Sequence, residues 1–246
     1  MKIAYGSDLH FEFYDEMGYK EIIDSWKFDK DTDLIVIAGD VHVHALNIVY
    51  VLEHINRVHN IPVFYVPGNH DYYHSSFIEE NDVFSRFLYK EDCYSVLLND
   101  SIDINGITFF GCMGNIDSSY EEINVWKHGA LNDFRLIKDF DDHEKYGKFE
   151  HKCLDRGLQH TEGKSIVVTH TMPSPRCINE KYSGSLLNPC FANNWEDIIY
   201  KHNPLYWICG HTHDEVDIVI NDTHVLANPF GYPYENKDWE WKYINV

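Results

Sequence analysis

The sequence predicts a layered α/β fold in one large domain spanning residues 1–246. Short runs rich in β-branched and aromatic residues recur along the chain, as is typical of buried strands. A helical pattern of apolar residues separates the second run from the third. This strand, helix, strand order favours parallel strands with helices packed on a sheet.

The individual elements follow from the same patterns. Strands are predicted over residues 2–7, 34–38, 62–66, 107–111, 165–169 and 205–209. Helical spacing predicts helices over residues 45–59, 75–89 and 143–160. Near the carboxyl terminus, runs at 215–220 and 223–227 flank the turn signal Asn221-Asp222 and predict an antiparallel hairpin. Residues 115–142 fit none of these patterns and are interpreted as a candidate active-site cover.

The charge balance limits the partners. The chain has 20 Lys and Arg against 40 Asp and Glu, a net charge of -20. This charge opposes non-specific binding to polyanions, so long duplex nucleic acid is not an expected partner. Bound dications would make one cleft locally positive, and small anionic substrates therefore remain compatible with the sequence. No feature of the sequence identifies a protein partner.

Cysteine usage and hydropathy indicate a cytoplasmic protein. The six cysteines form no CxxC pair and no dense framework, so they are expected to be reduced. The amino terminus enters a strand-like run without a basic and apolar leader, and no apolar stretch reaches membrane-spanning length. No membrane association is expected.

Polar clusters follow five of the predicted strands directly. They are Asp8-Leu9-His10, Gly39-Asp40, Gly68-Asn69-His70-Asp71, His170, and Gly210-His211-Thr212-His213. Ligands of open α/β sheets bind outside the carboxyl ends of strands, so these clusters are expected to converge in one crevice. Carboxylate, imidazole and amide ligands together favour Mn, Fe, Zn, Co or Ni. Two such metals, held roughly 3.5–4 Å apart, suit phosphoryl displacement.

In this order the clusters resemble the calcineurin-like metallophosphoesterase family. That family's pattern is DxH, GD, GNH followed by Asp or Glu, an isolated His, and GHxH, and all five motifs occur here. The resemblance covers residues 2–232 and implies a four-layer α/β/β/α sandwich of two sheets flanked by helices. Within this family, the motifs resemble those of the small bacterial and phage-type members with the class III phosphodiesterase pattern.

The resemblance also implies roles for single residues. One metal would be held by Asp8, His10, Asp40 and His213, and the other by Asp40, Asn69, His170 and His211. Asp40 would bridge the two divalent metals, which are expected to be Mn, Fe, Zn, Ni or Co, with Mn preferred for assays. His70 would protonate the leaving oxygen as general acid, and Asp71 would be available to orient it.

Departures from the protein Ser/Thr phosphatases bear on the substrate. Those phosphatases have Gly after the first His and an Asp-Arg-Gly extension after the second motif, whereas this chain has Phe11 and Val41-His42-Val43-His44. The third motif ends in Asp71 where they have Glu. Phosphoproteins are therefore not expected as substrates. His42 and His44 are interpreted as helix-start or surface residues, although both follow Asp40 closely in the sequence and could line the cleft.

Three aromatic residues are alternative substrate contacts. Residues 228–232 resemble an Asn-Pro-Arg-Gly-Tyr segment of small prokaryotic members, with Phe230 in the position of the Arg. Phe230, Tyr232 and Trp126 would offer stacking surface for a nucleotide, or would serve in ordinary packing. The sequence leaves both interpretations open.

The predicted function is hydrolysis of a small phosphoester, a phosphodiester or nucleotide, by attack of metal-bound hydroxide with His70 as general acid. Two alternatives remain at this point. One is a nuclease for short single-stranded nucleic acid, which the acidic charge disfavours. The other is a non-catalytic metal-binding interaction scaffold, since a fold alone does not establish function.

Overall fold

The computed structural model describes residues 1–90, 92–118, 131–161, 163–235 and 238–246. Its strands are β1 (Lys2–Gly6), β2 (Leu34–Ala38), β3 (Val63–Val66), β4 (Tyr89–Lys90), β5 (Tyr94–Val96), β6 (Asp100–Ile104), β7 (Ile107–Cys112), β8 (Lys164–Thr169), β9 (Tyr206–Cys209), β10 (Val216–Ile220), β11 (Thr223–Ala227) and β12 (Lys242–Asn245). Its α-helices are α1 (Glu16–Ser25), α2 (Ala45–His59), α3 (Phe77–Phe84), α4 (Asp133–Leu136), α5 (His143–Gln159) and α6 (Glu196–His202).

The strands form two sheets of the same design. The first has the order β12-β1-β2-β3-β5-β4 and the second the order β10-β11-β9-β8-β7-β6. Neighbouring strands run parallel through the centre of each sheet, from β1 to β5 in the first and from β7 to β11 in the second. The outermost strand at each edge is antiparallel to its neighbour. Each sheet thus has carboxyl strand ends where a ligand can bind.

The hydrophobic core has three layers that separate four layers of secondary structure. Between the sheets, side chains such as Val36, Phe64, Phe109 and Ile166 are buried against one another. The outer face of the first sheet packs against α1 and α2, and that of the second against α5 and α6. The four-layer α/β/β/α sandwich expected from the sequence is confirmed.

Most predicted elements are present, and α2 has the predicted bounds. The predicted helix over residues 75–89 is wrong at its carboxyl end. The Ser76 side chain caps α3 by accepting from the Glu79 amide, but the helix ends at Phe84. The Phe87 amide then donates to the Phe84 carbonyl at 2.8 Å, a tighter turn, and Tyr89 pairs with Ser95 across β4 and β5. Apolar spacing alone did not distinguish this turn from a further helical turn.

The polar helix α1 was not predicted. It is short and mostly polar, and Ile23 is its only buried side chain. Its start is marked by Asp15, whose carboxylate accepts from the Gly18 amide. The six cysteines are free thiols, as expected. In the described part of the chain, no helix has the length and apolar character needed to cross a bilayer.

Candidate metal centre

The polar clusters lie in sharp turns directly after strands of both sheets. Five of their residues have left-handed backbone conformations, with φ between 47° and 77°: Asp8, His10, Asp40, His211 and His213. Such a conformation costs roughly 1–3 kcal/mol for a non-glycine residue and is concentrated at functional sites. The turns reverse the chain so that these side chains face a single cleft.

Two motif glycines are required by the close approach of neighbouring loops. A Cβ atom on Gly68 would lie 2.1 Å from Asp40 Oδ1, and one on Gly210 would lie 2.5 Å from Asp8 Oδ2. Both distances are far below van der Waals contact. The glycines of the GNH and GHxH motifs therefore allow backbone and carboxylate to meet, which only a residue without a side chain permits.

The first group of converging side chains contains Asp8, His10 and His213, and it borders Asp40. The Nε2 atoms of His10 and His213 are 2.9 Å apart. His213 Nε2 lies 3.5 Å from Asp8 Oδ1, and His10 Nε2 lies 3.7 Å from Asp40 Oδ2. Donor atoms from β1, β2 and β9 loops are thus close enough to surround one cation.

The second group is centred on His170. Its Nε2 atom lies 3.3 Å from Asp40 Oδ2, 3.1 Å from Asn69 Oδ1 and 3.1 Å from His211 Nδ1. All seven side chains expected as ligands are therefore brought together, in the two groups that the family resemblance implies.

Asp40 lies between the two groups. Its Oδ1 accepts the His70 backbone N–H at 2.9 Å, which leaves Oδ2 facing the histidines of both groups. Burial would raise the pKa of Asp40, but the charges of His170 and His70 outweigh it and hold the pKa well below its usual range. The carboxylate is thus ionised, and positive charge on both sides would stabilise it.

Hydrogen bonds at the outer nitrogens define the tautomers of the first group. His10 Nδ1 lies 2.9 Å from Glu12 Oε1, and His213 Nδ1 lies 2.7 Å from Glu235 Oε2. Each Nδ1–H donates to a carboxylate, so a ring that binds a metal would direct the lone pair of Nε2 inward. Two lone pairs facing each other at 2.9 Å repel unless a cation lies between them.

The second group has the same arrangement with backbone acceptors. His170 Nδ1 donates to the Ala38 carbonyl at 2.8 Å, and His211 Nε2 donates to the Cys190 carbonyl at 3.1 Å. His170 Nε2 and His211 Nδ1 then face each other at 3.1 Å, and a proton or a metal ion between them would keep their two lone pairs from repelling. Outer hydrogen bonds of this kind are typical of metal-ligating histidines. The donor set therefore fits a cation in each group.

The pKa values of His170 and His211 also favour a positive charge between the two rings. Burial would lower the pKa of His170, but the Asp40 carboxylate outweighs it and raises the pKa to about 10. Burial and the neighbouring His170 lower the pKa of His211 to about 3. One positive charge is thus favoured between the two rings, where a divalent metal would replace the proton.

His70 lies beside both groups with one ring nitrogen facing the cleft. Its Nδ1 donates to Glu12 Oε1 at 2.8 Å, and the Tyr232 hydroxyl lies 3.2 Å from its Nε2. Burial would lower the pKa of His70, but Asp40 and the bond to Glu12 outweigh it and raise the pKa to about 9. These two carboxylates therefore favour the protonated ring, whose Nε2 faces the cleft.

Asp71 does not orient His70, and that expectation is wrong. Its carboxylate accepts the backbone N–H groups of Val41 and Gly68 and the Tyr65 hydroxyl. Residues 70–72 form a 3₁₀ turn, in which successive side chains diverge by about 120°. Asp71 thus ties the second and third motif loops together, and Glu12 takes the position beside His70.

Three carboxylates around the cleft were not predicted from the sequence: Glu12, Glu235 and Asp133. Asp133 Oδ1 accepts from Asn69 Nδ2 at 2.9 Å and from the Tyr73 hydroxyl at 2.6 Å. By holding the amide nitrogen, it directs Asn69 Oδ1 toward His170. Only Glu12 had a local signal, two residues after His10 on the same turn.

The candidate cover, residues 115–142, is described in part. Leu131, Asn132 and Asp133 line the cleft beside His211 and Tyr232. Residues 119–130, including Trp126, lie outside the described residues. The described part therefore agrees with a segment that borders the active site.

The remaining sequence candidates differ in position. His42 Nδ1 donates to the Val43 carbonyl at 3.0 Å, and His44 Nδ1 lies 3.0 Å from Glu80 Oε1, so both have contacts away from the cleft lining. Phe230 packs in the core with Phe11 and Trp239. Tyr232 alone of the aromatic candidates in the described residues lines the cleft, with its ring centroid 4.4 Å from that of His10.

A family model of calcineurin-like phosphoesterases matches residues 1–215. The chain belongs to this family. It is accordingly a metal-dependent phosphoesterase, and the two groups of possible ligands agree with that.

Individual relatives are more distant. The chain is 26% identical over 275 residues to an uncharacterized protein, L509, of Acanthamoeba polyphaga mimivirus, a match that covers 99% of this chain and 96% of that protein. It is 25% identical over 201 residues to the 3′,5′-cyclic adenosine monophosphate phosphodiesterase CpdA of Escherichia coli K12. That match covers 80% of this chain but 60% of the length of CpdA.

Solved structures share the fold. The phosphopantetheinyl hydrolase PptH of Mycobacterium tuberculosis superposes with a TM-score of 0.80 at 16% identity, over 99% of this chain and 95% of that one. A dimetal phosphatase of Danio rerio has a TM-score of 0.55 at 15% identity, over 92% of this chain and 86% of that one. At these identities the likeness concerns the fold alone.

Proposed function

We propose that the chain hydrolyses a small phosphoester with a single phosphate, a phosphodiester or nucleotide, at a centre of two divalent metals. The observation that carries this proposal is the convergence of two groups of possible metal-ligating atoms, one on each side of Asp40 Oδ2. Asp8, His10, Asp40 and His213 would hold one metal, and Asp40, Asn69, His170 and His211 the other. When bound, such a pair supplies a water activated at neutral pH and the charge that stabilises in-line displacement.

The protein's own residues would supply the proton for the leaving group. His70 Nε2 faces the cleft, and Glu12, which accepts from the opposite side of the ring, raises the pKa of His70 and so favours its protonated form. The ring of Tyr73 stacks on His70 with 4.1 Å between centroids, which restricts its tilt. His70 is thus oriented to protonate the leaving oxygen of an ester bound at the metals.

The cleft favours a substrate with one phosphate. Its volume is about 160 Å³, and its described lining contains no Lys or Arg. Sites for drug-sized ligands have about 300–1,000 Å³, so this cleft suits a phosphate group and its immediate substituents. A second phosphate would find no cationic side chain in this lining. The net charge of -20 further opposes long nucleic acid.

The preference for a diester or nucleotide has independent support in the family. One relative, CpdA, is named as a cyclic nucleotide phosphodiesterase. The departures at Phe11 and Val41–His44 from the protein phosphatase motifs argue against phosphopeptides.

The test is a metal analysis joined to a substrate panel. The purified protein, loaded with Mn, should bind two metals per chain and hydrolyse simple diesters, cyclic nucleotides or dinucleotides faster than phosphopeptides and pyrophosphate. Robust phosphopeptide hydrolysis with inert nucleotide esters would overturn the substrate assignment. Fewer than two metals at saturation would overturn the dinuclear centre.

A further inference from the structure

We propose that a ring-sized side pocket beside the metal cleft binds a flat, uncharged ring of the substrate. This inference rests on the proposed function and adds the substrate group that the cleft itself is too small to hold. The pocket is formed by the segment 178–191 and by the GHxH loop, and its lining includes Ile178, Tyr182, Ser185, Leu187, Phe191 and Thr212.

The side pocket lies beside the metal cleft and shares one wall with it. Phe191 lines both the side pocket and the metal cleft, and its ring centroid lies 4.9 Å from that of His211. Thr212 lies between His211 and His213 in the chain. A substituent on a phosphate bound at the metals would have to pass the Phe191 ring to reach the pocket.

The volume and chemistry of the pocket define the group that it would take. Its volume is about 190 Å³, and a buried apolar cavity of about 150 Å³ is sufficient for benzene. The lining has no charged side chain, so a second phosphate or a carboxylate would lose its hydration there without compensation. The rings of Phe191 and Tyr182 favour a planar aromatic group.

The segment that forms the pocket is anchored to the metal centre at two points. The Cys190 carbonyl accepts from His211 Nε2 at 3.1 Å. At the other end of the segment, Lys181 Nζ forms an ion pair with Asp214 Oδ1 at 2.6 Å. The pocket wall is thus held in a defined position relative to the metal ligands, as selection of a substituent requires.

Two esters with the same leaving group isolate the contribution of the pocket. Phenyl p-nitrophenyl phosphate and methyl p-nitrophenyl phosphate differ only in the group that stays on the phosphate. Burial of one ring is expected to favour the phenyl ester by about 10- to 100-fold in kcat/KM with the Mn-loaded enzyme.

Adjacent leucines provide a matched pair of variants. Leu187→Glu places a charge in the pocket, whereas Leu186→Glu places it on a side chain that is 67% exposed and does not line the pocket. Leu187→Glu should abolish the phenyl preference and leave kcat/KM for the methyl ester within about threefold of wild type; Leu186→Glu should retain the preference. Ser185→Phe, which fills the pocket without a charge, should act as Leu187→Glu does.

The outcomes separate this inference from the proposed function. Equal kcat/KM for both esters in the wild type, or an equal loss for both in Leu187→Glu and Ser185→Phe with an unchanged Tm, overturns the pocket assignment alone. Failure of the Mn-loaded wild type to hydrolyse either ester overturns the proposed function and, with it, this inference.

Discussion

The two sheets contribute different chemistry to the cleft. The first-sheet wall, which follows β1, β2 and β3, consists of Asp8, His10, Asp40, Asn69 and His70. The second-sheet wall, which follows β8 and β9, consists of His170, His211 and His213. The carboxylates of Asp8 and Asp40 and the ring of His70 thus belong to the first-sheet wall, whereas the second-sheet wall has only imidazole side chains.

The walls also differ in how their side chains are held. In the first-sheet wall every side chain is buried, and Glu12 and Asp133 fix its ring and amide orientations. In the second-sheet wall, His170 and His211 donate to backbone carbonyls. His213 donates to Glu235, a carboxylate that is 45% exposed.

This difference between the two walls predicts which substitutions should have the largest effects. A change in the first-sheet wall alters charge or proton transfer in a buried site, where screening by water is weak. A change among the partners of the second-sheet wall acts on ligand orientation, because these partners are backbone carbonyls and one partly exposed carboxylate whose charge water screens. The following substitutions test this comparison in order of decreasing effect.

Asp40→Asn should have the largest effect, because it removes the only carboxylate oxygen that faces both groups in the described structure while keeping nearly the same volume. Loss of the bridge should reduce activity by more than the roughly 100-fold that substitutions of outer-shell partners reach. Metal analysis should find fewer than two metals per chain. Two bound metals with normal turnover would show that Asp40 is not the shared ligand.

His70→Ala should slow hydrolysis of esters with basic alcohol leaving groups by roughly 10²–10⁴-fold, because these require a proton in the transition state. Metal content should stay near two per chain, since His70 belongs to neither ligand group. A nitrophenyl ester, whose leaving group needs little protonation, should be affected much less. Equal losses for the nitrophenyl and nucleoside esters would assign His70 a positioning role instead.

The parts of the site that the sequence predicted are those that directly follow strands. Strand periodicity located β1, β2, β3, β8 and β9, and each motif begins where such a strand ends. Parallel strands bring their carboxyl ends to one edge, so the convergence of Asp40 with His170 did not depend on knowing the loops. Whether the seven side chains bind metal stays a prediction.

The partners of these side chains could not be predicted, because they depend on the direction of each side chain in its turn. Asp71 is adjacent to His70 in sequence but faces Tyr65, whereas Glu12 is 58 residues from His70 and lies 2.8 Å from its ring. Asp133 has no spacing relation to Asn69, since it follows a stretch without a periodic pattern. Contacts between loops carry no periodic signal in a single sequence.

Glu12→Gln should affect both metal binding and proton transfer, since Glu12 Oε1 accepts from His10 and from His70. A loss of roughly 10–100-fold in activity is expected for a group of this kind. His70 must be protonated to act, so kcat/KM falls as pH rises through its pKa. Glu12 helps to raise that pKa, and its neutralisation should move the falling alkaline limb to lower pH. An unchanged limb would separate Glu12 from proton transfer.

Glu235→Gln is the matched control and should have the smallest effect. Glu235 contacts the outer nitrogen of a ligand histidine as Glu12 does, but its partners are His213 Nδ1 and the Tyr232 amide, and it has no contact with His70 in the described structure. Because its side chain is 45% exposed, water screens its charge, and an exposed ion pair contributes only about 0–1 kcal/mol.

Metal affinity in Glu235→Gln should therefore fall by no more than about tenfold, the lower end of the range for outer-shell partners. At saturating Mn, its alkaline pH limb and its ratio of nucleoside to nitrophenyl ester hydrolysis should match wild type. Both carboxylates thus contact the outer nitrogen of a ligand histidine, and of the two only Glu12 also contacts His70. If Glu235→Gln moved the alkaline limb as far as Glu12→Gln, the shift would arise from altered metal binding, and the separation of proton transfer into the first-sheet wall would be wrong.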